Sequence, residues 1–312
     1  MSFSQGSRSG LSYIVESTFG TTPAGNFTAI PRNTDNLTFS KERVEGREIQ
    51  PDRMVRVDRH GNKTAAGDIV VDFRANNFDD FLESALQNTW DNSPVGAPDV
   101  LKVGTTPKFF SIEEAANDIN QYRLFTGMMV SSMAMSIAPN QMVTATFNML
   151  GKGSTISGTG KTVDAAAINQ PQDAYSGDTL IGDVASATTV NIVTSIDFTI
   201  DNTVEPTFVV GSDETPQLVS GMASVEGTIT VYYEDASIIN RFINESESEL
   251  IVSVNDPSGS NLYTFGFPKI KVNGADVPVE GDGARTITLP FVALYDDTED
   301  TNFYIERPDS NP

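Results

Sequence analysis

Two stretches of this chain, opening 160 residues apart at Gly67 and Gly227, follow one pattern, and any fold has to accommodate both. Gly67 begins GDIVVDFRANNFDDFL and Gly227 begins GTITVYYEDASIINRFI. In each, apolar residues stand at the second, fourth and sixth places after the glycine, and a short helical period follows. Alternation of period two is the mark of a strand with one buried face. Upstream, NLTFSKE from Asn36 matches SIDFTID from Ser195, and about 25 loop-like residues lead from each to its glycine. Downstream, Val143–Leu150 resembles Thr286–Leu294. The order is strand, long loop, strand, helix, then several strands, written twice. It predicts a mainly β (α+β) chain of two tandem β-sandwich domains, each with a short flanking helix.

Further strand-like runs are 128–137, 142–150, 195–201, 227–234, 249–255, 261–267, 268–273 and 285–294. Turn residues separate them, among them Pro139-Asn140, Asp256–Gly259, Asn273-Gly274 and Glu280–Gly283. Helical spacing appears over Asn77–Asn88, with Asp79 and Asp80 in the first turn, and over Ala236–Asn244 behind Asp235 as N-cap. A weaker helical stretch is Glu113–Asn120. The division expected is an N-terminal arm (1–30), a first domain (31–152), a linker or surface loop (153–190), a second domain (191–305) and a tail (306–312). The linker is rich in Gly, Ser, Thr and Ala and has little apolar rhythm.

Composition narrows the chemistry. The chain has no cysteine and a single histidine, His60, so thiolate chemistry, disulfides and multi-His metal sites are excluded. The formal net charge of −22 argues against nucleic-acid binding by counterion release. No run is long and apolar enough for a membrane anchor, and MSFSQGSRSG lacks the apolar core of a signal peptide. The expectation is a soluble protein made in the cytoplasm. Gly158–Thr162 lacks the earlier glycine of a phosphate-binding loop. The acid groups Asp79/Asp80, Glu280/Asp282 and Asp296/Asp297/Glu299/Asp300 lack calcium-loop spacing. No catalytic residue, metal site or cofactor is expected, and the chain reads as not an enzyme. Two other classes stay open on the residues alone: a carbohydrate-binding or adhesive β-sandwich, and a carboxylate-dependent hydrolase.

The charge is unevenly spread. Seven basic residues, from Lys41 to Lys63, interleave with five acids in a mixed-charge ribbon, whereas the half of the chain after residue 155 is strongly acidic. The ribbon reads either as a solvated hairpin or as a contact arm for an acidic surface on another subunit.

Several segments together resemble the major tail tube proteins of long-tailed bacteriophages. They are YIVESTFGTTP from Tyr13, IQPDR from Ile49, Gly67-Asp-Ile, FLESALQNTW from Phe81, DINQY from Asp118 and FTGM from Phe125. SIAP from Ser136, NMLGK from Asn148 and FVALYD from Phe291 complete the set. The resemblance runs from about residue 11 to 305. It implies a structural virion protein, made in the host bacterial cytoplasm, whose rings stack around a tape-measure protein. Tail-tip and tail-terminator proteins would be its further partners, and phage DNA would cross the bore without specific binding. Many family members carry one tube domain. Two per chain imply a trimeric ring of pseudo-six-fold symmetry, and a hexamer if the second half is a decoration. The resemblance also gives the ribbon a role: Arg47, Arg53, Arg56 and Arg59 become candidates for contact with the next ring. Asp68, Asp72, Asp197, Asp201 and Glu234, opposite the apolar faces, become candidates for lining the bore. Alternation alone does not distinguish bore from exterior.

Overall fold

The computed structural model describes residues 3–310 other than 50, 53, 94, 168, 184–187, 190–191, 235–242, 260 and 275–282. The described chain is mainly β. Its first half runs through β1 (Ser9–Glu16), β2 (Phe27–Ala29), β3 (Thr34–Asp35), β4 (Thr38–Glu45) and β5 (Asp58–Asp72) to helix α1 (Asp79–Leu86). It continues through β6 (Asp99–Lys102), β7 (Phe109–Ala116), β8 (Gln121–Ile137), β9 (Thr144–Gly151) and β10 (Gly153–Ser157). Next come β11 (Val163–Asp164), β12 (Asp173–Asp183), β13 (Thr188–Thr189), β14 (Val193–Asp201), β15 (Glu205–Pro206) and β16 (Leu218–Val219). The chain closes with β17 (Ser224–Tyr232), β18 (Ser248–Asn255), β19 (Tyr263–Val272), β20 (Thr286–Ala293) and β21 (Tyr304–Arg307).

Local chemistry accounts for most of these elements. In β9 the side chains of Ala145, Phe147 and Met149 are buried while Thr144, Thr146 and Asn148 face outward, as a period of two requires. Helix α1 buries Phe81, Leu82, Ala85 and Leu86. Its first residue, Asp79, and the next, Asp80, answer the exposed N–H groups that Phe78 cannot cap, and Gln87 ends the helix in the left-handed region at φ 52°. The second expected helix, Ala236–Asn244, lies almost wholly outside the described residues.

Three local expectations differ from the structure. Glu113–Asn120 is not helical: Glu113 to Ala116 belong to β7, flanked by β1 and β8, and only the residues after them turn. Both flanking strands offer backbone partners, which outweighs a weak helical period. The runs 261–267 and 268–273 form the single strand β19. Pro268, which lacks an N–H, sits at a register shift where it breaks no ladder bond. Segment 153–190, which reads as linker or surface loop, holds β10, β11, β12 and β13, and β12 pairs along β18.

The pairing scheme occurs twice. In the first half the antiparallel order is β1–β7–β8–β9–β5–β4, with β10 beside β9 on β8. In the second it is β12–β18–β19–β20–β17–β14, with β21 beside β20 on β19. Even the irregularity repeats. Between β7 and β8 the register slips between the pairs Phe110–Met128 and Ile112–Phe125, and between β18 and β19 it slips between Ser248–Ile270 and Leu250–Phe267.

Gly67 and Gly227 occupy the same place in this scheme. A Cβ on Gly67 would lie 2.6 Å from the carbonyl oxygen of Asn36, and one on Gly227 would lie 2.7 Å from that of Asp197. Asn36 therefore corresponds to Asp197, two residues beyond the match suggested by the sequence upstream; a shift of two keeps every side chain on its own face.

The halves are continuous. Strand β14 pairs with the far end of β8, from Ile196–Ile137 to Asp201–Ser132, and β21 pairs with β6. Between them the apolar core runs unbroken, with Phe73 of the first half 5.3 Å from Tyr263 and 6.1 Å from Phe265 of the second, ring centre to ring centre.

Candidate functional site: a cation-free sheet face

Because β14 adds to β8, six strands from both halves form one sheet in the order β5–β9–β8–β14–β17–β20. One face is core. Cross-strand pairing lays three rows along the other. The first row is Asp72, Thr144, Ser136, Asp197, Thr228 and Pro290. The second is Val70, Thr146, Ala134, Thr199, Glu226 and Val292. The third is Asp68, Asn148, Ser132, Asp201 and Ser224.

These rows contain five carboxylates and no lysine or arginine. The first cation met along them is Lys271, opposite Val292 on β19, where Glu245 pairs with it at 2.9 Å. The face is shallowly concave across the seam, over a hollow of about 480 Å³ lined by Ser136, Thr146, Asp197, Thr199, Glu226 and Thr228 among others.

Neutral donors hold several of the acids. Asn33 Nδ2 donates to Asp72 at 2.7 Å, Asn36 Nδ2 to Asp68 at 3.2 Å, and Ser136 Oγ to Asp197 at 2.6 Å. The backbone N–H of Thr203 donates to Asp201 at 2.8 Å. Four residues along a strand, or three strands across, separate Asp68, Asp72, Asp197 and Asp201 by roughly 13–14 Å. That exceeds the Debye length of about 8 Å at physiological salt, so these four act as dispersed charges and cannot share an ion or a proton. Glu226 lies diagonally between Asp197 and Asp201 on the neighbouring strand. Among the described residues no group of three or more His, Asp or Glu is placed to hold a metal ion.

Four of the five acids singled out in the sequence thus share one face. Glu234 does not join the rows: it is exposed, two residues past the end of β17. Glu226 is the acid that sequence reasoning missed. The alternation was read from Gly227 onward, while the strand begins at Ser224.

The charged ribbon is a projecting hairpin. Strands β4 and β5 pair from Thr38–Ala66 out to Glu45–Asp58. Arg47, Arg56 and Arg59 are all exposed on it, Arg56 paired with Asp52 at 2.7 Å; Arg53 lies outside the described residues. Val44, Met54, Val55 and Val57 are exposed beside them, and Ile49 is 99% exposed.

A third charged cluster is buried at the seam. Arg307 on β21 pairs with Asp79 at the start of α1 and, at 2.9 Å, with Asp99 on β6, while its guanidinium lies 4.3 Å from the Trp90 ring. Tyr263 donates its hydroxyl proton to Asp79 at 2.8 Å. Burial lifts Asp79 above the usual carboxylate range, against the pull of Arg307 and Tyr263. Burial opposes ionisation of Asp99 too, but hydrogen bonds from Ser310 and Arg307 outweigh it and hold Asp99 below that range. Burial also pushes the Tyr13 and Tyr263 phenols far up, each beside a carboxylate of α1. This cluster is a structural tie: Arg307, Asp79, Asp99 and the Tyr263 hydroxyl are paired within it or with its neighbour Ser310.

A sheet that continues from one half of the chain into the other, with one core face and one sparsely acidic face, defines a mainly β protein. Residues 6–293 match the family model of the phage tail tube protein, and the chain belongs to that family. No curated protein matches it. Among the described residues no helix is long and apolar enough to cross a membrane.

Proposed function

We propose that three copies of this chain close into a ring of six pseudo-equivalent units. Rings of this kind would stack into the tail tube of the virion, and the cation-free face would line its bore. The observation that carries the reading is the β14–β8 pairing. Strand β14 joins the second half to the first, whereas its counterpart in the first half, β3 with β4, pairs among the described residues on one side only, with β5. An open edge that matches a used one invites the same pairing from a neighbouring chain. The contact is head-to-tail, which gives rings when the rotation closes.

Each half would then be one tube domain, with 31–152 and 191–305 as their approximate limits. Dispersed carboxylates without cations repel a phosphate backbone, so DNA would pass the bore without a binding site to leave. A tape-measure protein would fill the bore before DNA, and tail-tip and terminator proteins would bound the stack. The hairpin arginines Arg47, Arg53, Arg56 and Arg59 would meet acids of the next ring.

Electron microscopy of the purified protein tests this, with the mass of the smallest ring measured in parallel. Rings of three chains with a central hole are expected. A ring of six chains would overturn the two-domain reading. Arg47→Glu with Arg56→Glu and Arg59→Glu should leave rings intact but stop their stacking, and normal tubes from that variant would remove the arginines from the contact.

A further inference from the structure

Two segments correspond through the shared pairing: residues 41–63, which comprise the outer ends of β4 and β5 and the turn between them, and 202–223 between β14 and β17, within one residue of the same length. Their fates differ. The second folds back onto the first half. There the Lys63 N–H donates to the Asp213 carbonyl at 2.8 Å, Lys63 Nζ pairs with Asp213 at 2.7 Å, and Lys152 Nζ lies 3.8 Å from Glu214. At its two ends, Asn202 Nδ2 donates to the carbonyl of Ala85 and Gln87 Nε2 to the Ser220 hydroxyl, each at 2.8 Å. The first connection is the projecting hairpin, whose apolar side chains stand in solvent.

The surface that receives Asp213 and Glu214 has its own counterpart on the second half. Through the shared pairing scheme, Lys63 corresponds to Ala223 and Lys152 to Leu294. At that place lies an open groove of about 490 Å³, lined by Met222, Ala223, Val225, Val292, Leu294 and Tyr295, with Asp300 at its rim. Met222 is 84% exposed. One wall belongs to residues 294–303, an insertion between β20 and β21 where only Lys152 separates β9 from β10.

We infer that this apolar groove is the seat of the β4–β5 hairpin of the neighbouring chain in the same ring, entered by Val55 and Val57. The inference rests on the ring reading above and adds the chemistry of its joints. Within a chain the connection is acidic and the surface beneath it carries two lysines. Between chains the groove is apolar and the hairpin brings exposed valines to it. Val55 and Val57 alternate with Met54, Arg56 and Asp58, so the two valines can seat while Arg56 keeps its charge for the next ring. Because the two joints differ in kind, a first-half hairpin laid on a first-half surface would bury Lys63 and Lys152 against valines, which is costly. First and second halves therefore alternate around the ring.

The chain has no cysteine, so a single engineered pair reports the contact. Full-length protein carrying Val57→Cys and Met222→Cys is assembled, checked for rings by microscopy, oxidised and run under denaturing conditions. A covalent ladder that stops at three chains is expected. A ladder running past six would place the hairpin on the next ring and overturn the inference. Intact rings without cross-links would overturn it while sparing the ring reading. A ladder ending at six would support the groove and overturn the three-chain ring. Protein that forms no rings would overturn both. As a second readout, Met222→Lys should raise the concentration needed for ring formation about tenfold at an unchanged melting temperature. An unchanged threshold would also count against the groove.

Discussion

At the scale of single residues, Arg307 holds the seam. Its side chain and that of Asp99 are 15% and 1% exposed, and its second partner, Asp79, starts the helix of the other half. Removing one partner of a buried ion pair typically costs about 3–5 kcal/mol, because the remaining charge is left desolvated. Arg307→Met is expected to lose that much in urea denaturation at pH 7, followed by the fluorescence of Trp90, the single tryptophan. The pH dependence has a definite sign. Asp99 is held below its unfolded value, so its stabilisation is present above about pH 4 and is lost as pH falls through its folded value. Asp79 is held above its unfolded value, so its ionised form weighs against the fold at neutral pH and is relieved by acid. Without Arg307 the Asp79 charge loses its main support, and the deficit of the variant should shrink between pH 7 and pH 4.5. A deficit constant across that range would show that packing on Trp90, and not charge, is what Arg307 supplies.

At the scale of elements, the decisive fact is that among the described residues β14 has two neighbours while β3 and β4 have one. A half-paired strand leaves alternate N–H groups to water. In hydrogen exchange on the dispersed chain, amides of β14 should be slow, as should those of the β8 end that pairs with it. The outward amides of Thr34–Ser40 should exchange fast. On assembly the latter should slow to match β14. Fast exchange of Thr34–Ser40 in assembled tubes would remove strand addition as the joint. Much of this level was legible beforehand. The alternations that begin at Ile69 and Ile229 lie in strands β5 and β17 up to Asp72 and Tyr232, and Phe81, Leu82, Ala85 and Leu86 are the buried stripe of α1. Glu113–Ala116 reads as weakly helical because one of its two partner strands, β1, lies about 100 residues away, and β12 is not evident locally because its partner β18 is about 70 residues away.

At the scale of the whole molecule, one property follows from the sheet face: tubes should ignore DNA. Wild-type assemblies are expected to retain no short duplex DNA even at low salt. Asp197→Lys with Asp201→Lys puts cations between the rows and should give binding that weakens steeply as salt rises. Equal binding by wild type and variant would move this face away from the bore. The five acids of the face sit on β5, β14 and β17, separated in sequence by as much as 158 residues yet joined through β8 and β9.

What the sequence by itself determined is local and periodic: which residues alternate, where a helix begins, that Gly67 and Gly227 are the same residue in two settings, and that acid far exceeds base after residue 155. Those properties depend on neighbours a few places away, and the chain writes them directly. The tertiary structure alone decided which solvated faces coincide. Asp68 and Asp201 share a row only because β14 lies on β8, and no local pattern encodes a pairing between strands 60 residues apart. The same holds for the two connections. They are alike in length and place, yet one is folded down onto Lys63 and Lys152 while the other projects, a difference set by contacts between segments far apart in sequence.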